Sequence, residues 1–311
     1  MRGWPERPGP TAGPSSPSRL RAQWVGRALG ALLSLVLLGY FLRFAAQTLE
    51  GSELALLVAP ASLLATGATA LSGMLVLAMS AWAWRQLLAA LAQERSFREL
   101  FSVMAITQLA KYVPGNIAQH LGRAALTLKL GIGARAVGVS LVQETVLLLL
   151  AGFMVGFGLV GLGAYGRALP SDLPFREMAW VAFALGLVVL AMFLRAAGRR
   201  SALAAAILVY LACYFVLGLG LWVQSLALGG DVGLLQLTAA FAIAWLAGFL
   251  SPGVPAGVGS REGVLLLLLK GSSPDEVLLA LILASRVASV LGDLACFITG
   301  LAIRRQLSLS P

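Results

Sequence analysis

The chain has 311 residues, 59% of them hydrophobic and only 12% charged, about half the charged share of an ordinary soluble domain. Several apolar runs reach the ~20 residues that cross a bilayer, so a soluble globular domain is excluded and an all-α polytopic membrane protein is expected. The formal charge of +10 lies largely at the edges of apolar runs, where Arg and Lys set topology and meet anionic head groups, and is no argument for nucleic acid.

Residues 1–23 hold five prolines and four arginines and read as a disordered cytoplasmic tail. The next run has no small-x-small cleavage site and reads as a retained span. Six full spans are expected, at about 24–46, 63–88, 135–163, 178–195, 200–228 and 277–303. Two further apolar regions, 99–130 and 233–270, are each broken by Pro and Gly: Pro114 and Gly115 in the first, and Pro252, Gly253, Pro255, Gly257 and Gly259 in the second. Each is either a re-entrant hairpin or a pair of short spanning helices, which makes six or eight membrane segments. One membrane domain covers 24–305, and 306–311 form a short cytoplasmic tail.

Cations orient the spans. Arg2, Arg7, Arg19 and Arg21 put the tail inside, and the acidic connection 47–53 lies outside. Arg85, Arg95 and Arg98, then Arg195, Arg199 and Arg200, and finally Arg304 and Arg305 mark cytoplasmic ends. Both termini are then cytoplasmic. Region 99–130 enters from the cytoplasm and 233–270 from the opposite side.

Aligning the two breaks suggests a repeat. Pro114 and Pro252 are 138 residues apart, and so are Arg123 and Arg261. The same shift lays 63–88 and 135–163 over the fifth and sixth spans. The halves, about 24–163 and 178–303, each read as span, span, broken segment, span, and the odd number of spans inverts the second copy. Inverted repeats with matching broken helices are a transporter pattern, with the site near the repeat interface.

A broken membrane helix frees backbone groups that lipid cannot satisfy, so each break must be buried in protein or line a wet cavity. Helices are expected to restart near Asn116 and near Ser260, and a helix N-terminus suits an anion. Lys111, Arg123 and Arg261 stand beside these starts, so the group Lys111, Asn116, Arg123, Ser260 and Arg261 is a candidate phosphate site. Lys111 and Arg123 also read as interfacial cations whose stems lie along apolar surface. Glu144, Arg286 and Asp293 are charges deep in apolar runs, where each costs roughly 2.5–3.5 kcal/mol on insertion scales. They form either a structural ion pair, such as Glu144 with Arg286, or a polar lane for a head group. Tyr112, Gln119, His120 and Glu262 extend that lane. His120, the only histidine, serves either as a proton carrier or as a plain hydrogen-bonding group.

Two cysteines without a CxxC spacing, and a single histidine, give no metal or redox site, and no cofactor is expected. GxSxG, HExxH and nucleotide-loop patterns are absent, and the Gly-rich 253–259 run lacks the Lys-Ser/Thr of a P-loop. The chain is therefore not expected to be an enzyme.

KYVPGNIAQHLGR (111–123) and SPGVPAGVGSREG (251–263), with Gln143-Glu144 and Arg286, resemble the flippase-like transmembrane domain of the lysylphosphatidylglycerol synthase family in a stand-alone form. Val254-Pro255 departs from that family's Gly-rich continuation. The resemblance implies a membrane domain, in the cytoplasmic membrane of a prokaryote, that moves or presents anionic phospholipids or polyprenyl-linked glycolipids. It does not extend to lipid aminoacylation, because the soluble transferase domain is not part of this sequence. The expected partners are anionic phospholipid or polyprenyl-phosphate lipids. The leading expectation is a lipid flippase. The rival from another class is an accessory protein that holds a lipid-linked substrate for a glycosyltransferase or another envelope-lipid enzyme. A third, an integral enzyme acting on a lipid phosphate, would need the carboxylate pairs or metal clusters that the sequence lacks.

Overall fold

The computed structural model describes residues 51–112, 118–165, 174–196, 200–251 and 257–309, and no strand occurs among them. The helices are α1 (Gly51–Val58), α2 (Pro60–Ala89), α3 (Phe97–Thr107), α4 (Ala118–Lys129), α5 (Ala134–Gly161), α6 (Phe175–Ala196), α7 (Arg200–Ala227), α8 (Leu234–Leu250), α9 (Ser260–Leu269) and α10 (Asp275–Leu309). A 3-10 turn, Gln108–Tyr112, continues α3.

Helices α2, α5, α6, α7 and α10 are long and apolar enough to cross a membrane, and they match five of the six expected spans. The sixth, 24–46, and the tail lie outside the described residues, as do Pro114, Gly115, Asn116, Pro252, Gly253 and Pro255. One connection differs from the sequence reading: part of 47–53 is already helical, as the start of α1.

Local chemistry sets the helix starts. Pro60 opens α2, where its fixed φ and missing N–H cost nothing. At α3 a capping box closes: Ser96 Oγ accepts from Glu99 N–H, and Glu99 Oε2 accepts from Ser96 N–H at 2.9 Å. At α9 only the return half exists, with Glu262 Oε2 accepting from Gly259 N–H at 2.7 Å.

The longest helices meet through small residues, as bilayer packing requires where no hydrophobic drive separates protein from lipid. Thr69 Oγ1 donates to the Gly220 carbonyl at 2.9 Å, and Gln224 Nε2 donates to Thr66 Oγ1 at 2.9 Å, locking α7 on α2. Around this central pair, α2 packs on α3, α5 and α10, while α7 packs on α8, α10 and α5. Helix α3 lies on α10 and α8 on α5; α4 touches α3 and α5, and α9 touches α8 and α10. Helix α6 packs chiefly on α5 and leaves side chains such as Val181, 71% exposed, to the surroundings. Many large apolar side chains are outward-facing in this way, which suits lipid rather than water.

Candidate functional site

A cavity of about 230 Å³ lies inside the bundle, with walls from α2, α3, α4, α5, α7, α8, α9 and α10. The two broken regions both reach it. From the first come Lys111, Tyr112, Gln119, His120 and Arg123, and from the second Gly257 and Arg261. Glu144 of α5 and Arg286 of α10 complete the polar wall.

Three ion pairs surround this space. Arg123 Nη1 donates to Glu144 Oε2, and both side chains are sealed, 3% and 8% exposed. The Arg123 guanidinium also lies 5.3 Å from the Trp84 ring, and Trp84 Nε1 is held by Ser140 Oγ at 3.1 Å. Lys111 Nζ bonds Asp293 at 2.7 Å. The same carboxylate accepts from Tyr112 Oη at 2.6 Å and from Gln108 Nε2 at 3.2 Å, so Asp293 ties the 3-10 turn to α10. Arg286 Nη1 lies 3.3 Å from Glu262 Oε1.

The pair Glu144 with Arg286, named above as an example, is therefore corrected. Helix α5 neighbours α4 and α10 neighbours α9, so each carboxylate meets the cation of its own neighbouring helix.

Arg261 differs from the other three Lys and Arg side chains of the cavity, Lys111, Arg123 and Arg286. It has no hydrogen bond and no carboxylate within ion-pair distance among the described residues. Its guanidinium instead sits 4.5 Å from the Phe241 ring, a cation–π contact that leaves the N–H groups free. The backbone brings it there by a close approach of two glycines. Gly257 has φ +68°, and a Cβ on it would fall 2.9 Å from Gly248 Cα. A Cβ on Gly248 would meet Arg261 Cβ at 3.3 Å. Glycine is required at Gly257, and the small Gly248 opposite it lets the second broken segment lie close against α8. Gly259 is also in the left-handed region, at φ +85°, and the helix restart expected near Ser260 begins there, with Ser260 buried and its hydroxyl donating to the Gly257 carbonyl. The first restart is described only from Ala118.

Aromatic side chains that the sequence reading missed also line the cavity, on the helix face that carries Phe241 under Arg261. Trp245 and Phe249 stack with centroids 5.1 Å apart, and Tyr214 of α7 meets Trp245 edge-on at 5.8 Å. The signal was present: Phe241, Trp245 and Phe249 recur every four residues, one helical face. Gln108 was also missed, although it sits three residues before Lys111 and so shares its face.

No set of three or more His, Cys, Asp or Glu side chains able to hold a metal occurs among the described residues. The arrangement can hold an anion at a guanidinium, with two further cations and an aromatic surface lining the same cavity. Neither protein-family models nor curated proteins give a match to this chain.

Proposed function

We propose that this protein is a lipid flippase or lipid-presenting protein of a prokaryotic cytoplasmic membrane, akin to the lysylphosphatidylglycerol synthase membrane domain. The observation that carries the reading is Arg261, an unpaired guanidinium in a cavity inside an apolar bundle. A charge so placed is costly without a counter-ion. A phosphate fits, because a planar guanidinium can bond two of its oxygens at once. Lys111 and Arg286 flank the site with side chains 26% and 22% exposed. The aromatic wall takes the less polar part of the head group, while the acyl or prenyl tail stays in the bilayer. Arg123 and Glu144 hold the first broken region in place, and Asp293 and Glu262 exchange partners as the head group passes.

The inverted repeat belongs to the same reading. Exchanging α2 with α7, α3 with α8, α4 with α9 and α5 with α10 turns every packing pair among these helices named above into another named pair. The 138-residue shift likewise carries α4 onto 256–267, over α9. Helices α3, α4 and α9 have 11, 12 and 10 residues, about 15–18 Å at 1.5 Å per residue, against a core of about 30 Å. Such lengths favour re-entrant hairpins over spanning pairs, with both termini on the cytoplasmic side.

The test uses vesicles reconstituted with purified protein and fluorescent phosphatidylglycerol or polyprenyl-phosphate probes. Arg261→Ala is expected to slow lipid crossing at least tenfold while leaving thermal unfolding close to wild type, since no ion pair is lost. Equal rates in both proteins would remove Arg261 from the path. Tight lipid binding with no crossing in either would replace transport by the accessory role, in which the protein holds a lipid-linked substrate for a partner enzyme.

A further inference from the structure

The three ion pairs respond differently to an arriving anion. Arg123 and Glu144 are both sealed. Arg286 is open, but its partner Glu262 has a second support: it occupies the first turn of α9 and accepts from Gly259 N–H, where the helix dipole favours a negative charge. Lys111 is open as well, 26% exposed, whereas its partner Asp293 is 9% exposed and sits in the middle of α10. No backbone N–H is free there. Without Lys111, Asp293 keeps only the neutral Tyr112 hydroxyl and the Gln108 amide.

We propose that loading this cavity with a phosphate head group is coupled to uptake of one proton, carried by Asp293. The inference rests on the anion-site reading above. A phosphate held by Arg261 attracts the ammonium of Lys111, which faces the same cavity on a flexible stem. Asp293 is then a carboxylate in a low-dielectric bundle with no cation in ion-pair contact, the costlier of its two forms. A proton from water bonds to one of its oxygens, and the Tyr112 hydroxyl, able to rotate, changes from donor to acceptor. When the head group leaves, Lys111 returns and the proton departs. A proton gradient can thereby drive the lipid in one direction.

The surrounding titratable groups leave Asp293 as the site. Arg261, Arg286 and Arg123 stay protonated. Glu144 is sealed against Arg123, and Glu262 keeps its helix start. Cys296 is buried on α10, one turn beyond Asp293. Helix α2 meets this stretch at Ala70, whose carbonyl faces Gly292, about four turns from its Arg85. On α3, Arg98 bonds Gln306 at the far end of α10, and Glu99 is spent on its cap. The described side chains of α1 are apolar. Helix α7 offers Tyr210, Cys213 and Tyr214, which are neutral near pH 7 in their ordinary range. Lys111 passes from one anion to another and so keeps a partner for its charged form in both states, and His120, the remaining rival, is tested directly.

The probe is dihexanoylphosphatidylglycerol, a phosphodiester that does not titrate near neutrality, added to the purified full chain in nonionic detergent. Its Kd is measured between pH 6 and 8 by calorimetry in two buffers of unlike ionisation enthalpy. Because binding takes up a proton, Kd is expected to rise with pH, approaching tenfold per unit, with close to one proton taken up per probe bound. Asp293→Asn is expected to flatten that slope, and His120→Gln to keep it. Lys111→Gln, a second variant should Asp293→Asn misfold, is expected to flatten it as well, because Asp293 then lacks its cation in both states. Binding that is tight but indifferent to pH in the wild type overturns the coupling and leaves the anion site standing. A slope that survives Asp293→Asn and vanishes in His120→Gln overturns the assignment. No binding at any pH overturns both the anion site and the coupling.

Discussion

Arg123 and Arg261 stand at the same distance after a Pro-Gly break, 138 residues apart, and they meet opposite surroundings. Both line the cavity, but the first is nearly buried and paired with Glu144 over Trp84, and the second lies over Phe241 with no carboxylate partner among the described residues. The motif is shared, so the cause lies on the neighbouring helix. Shifting Glu144 by 138 lands on Ile282, a buried aliphatic residue of α10. Shifting Asp293 back lands on Val155, equally apolar. One region was given its counter-ion and the other was left without one. The two regions thus differ in charge pattern: the first holds a buried ion pair, and the second a guanidinium with no carboxylate partner among the described residues.

Three substitutions press on that contrast. The largest effect is expected from Glu144→Ala, which leaves Arg123 buried and unpaired and so costs about 3 kcal/mol or more. Thermal unfolding in detergent measures it, and a loss under about 1 kcal/mol would mean that the sealed pair does not anchor the first region. Next is Gly257→Ala, which adds a methyl 2.9 Å from Gly248 Cα at a φ of +68°. About 2 kcal/mol of strain is expected, together with weakened anion binding, because Arg261 is carried by the same backbone. Stability loss with binding intact would separate the glycine contact from the site. The smallest is Ile282→Glu, which installs in the second half the carboxylate that the first half has. It should pair with Arg261 and weaken phosphodiester binding about tenfold, worth about 1.4 kcal/mol. Unchanged affinity would break the equivalence of positions 144 and 282.

Much of the architecture was legible in the sequence. Five of the spans, the helix restart at Ser260 and the cations lining the cavity follow from run length and from Pro and Gly placement. The pairings were not legible, for a physical reason. A helix such as α5 or α7 is apolar nearly all round, so no periodic stripe tells which face meets which neighbour. Glu144 was recognisable as a buried charge, but choosing between Arg123 and Arg286 required knowing that α4, not α10, lies beside it. The aromatic wall was hidden for the same reason, since three aromatics on a greasy helix look like core. The closeness of Gly248 to Gly257 could not be read either, because no helical or strand spacing brings two glycines nine residues apart into contact.

Helix α9 carries a consequence for how the protein is made. Ten residues long, with Arg261 and Glu262 in its first turn, it cannot partition into lipid by itself when it leaves the ribosome. Arg286, the partner of Glu262, emerges later, on the last helix. Until α10 is inserted, the second broken segment must wait at the membrane surface or against α8 with its charges unmatched. Biogenesis is therefore completed from the C-terminal end. A chain cut between 270 and 285 is expected to be a substrate for membrane quality control, although most of its spans are already in place.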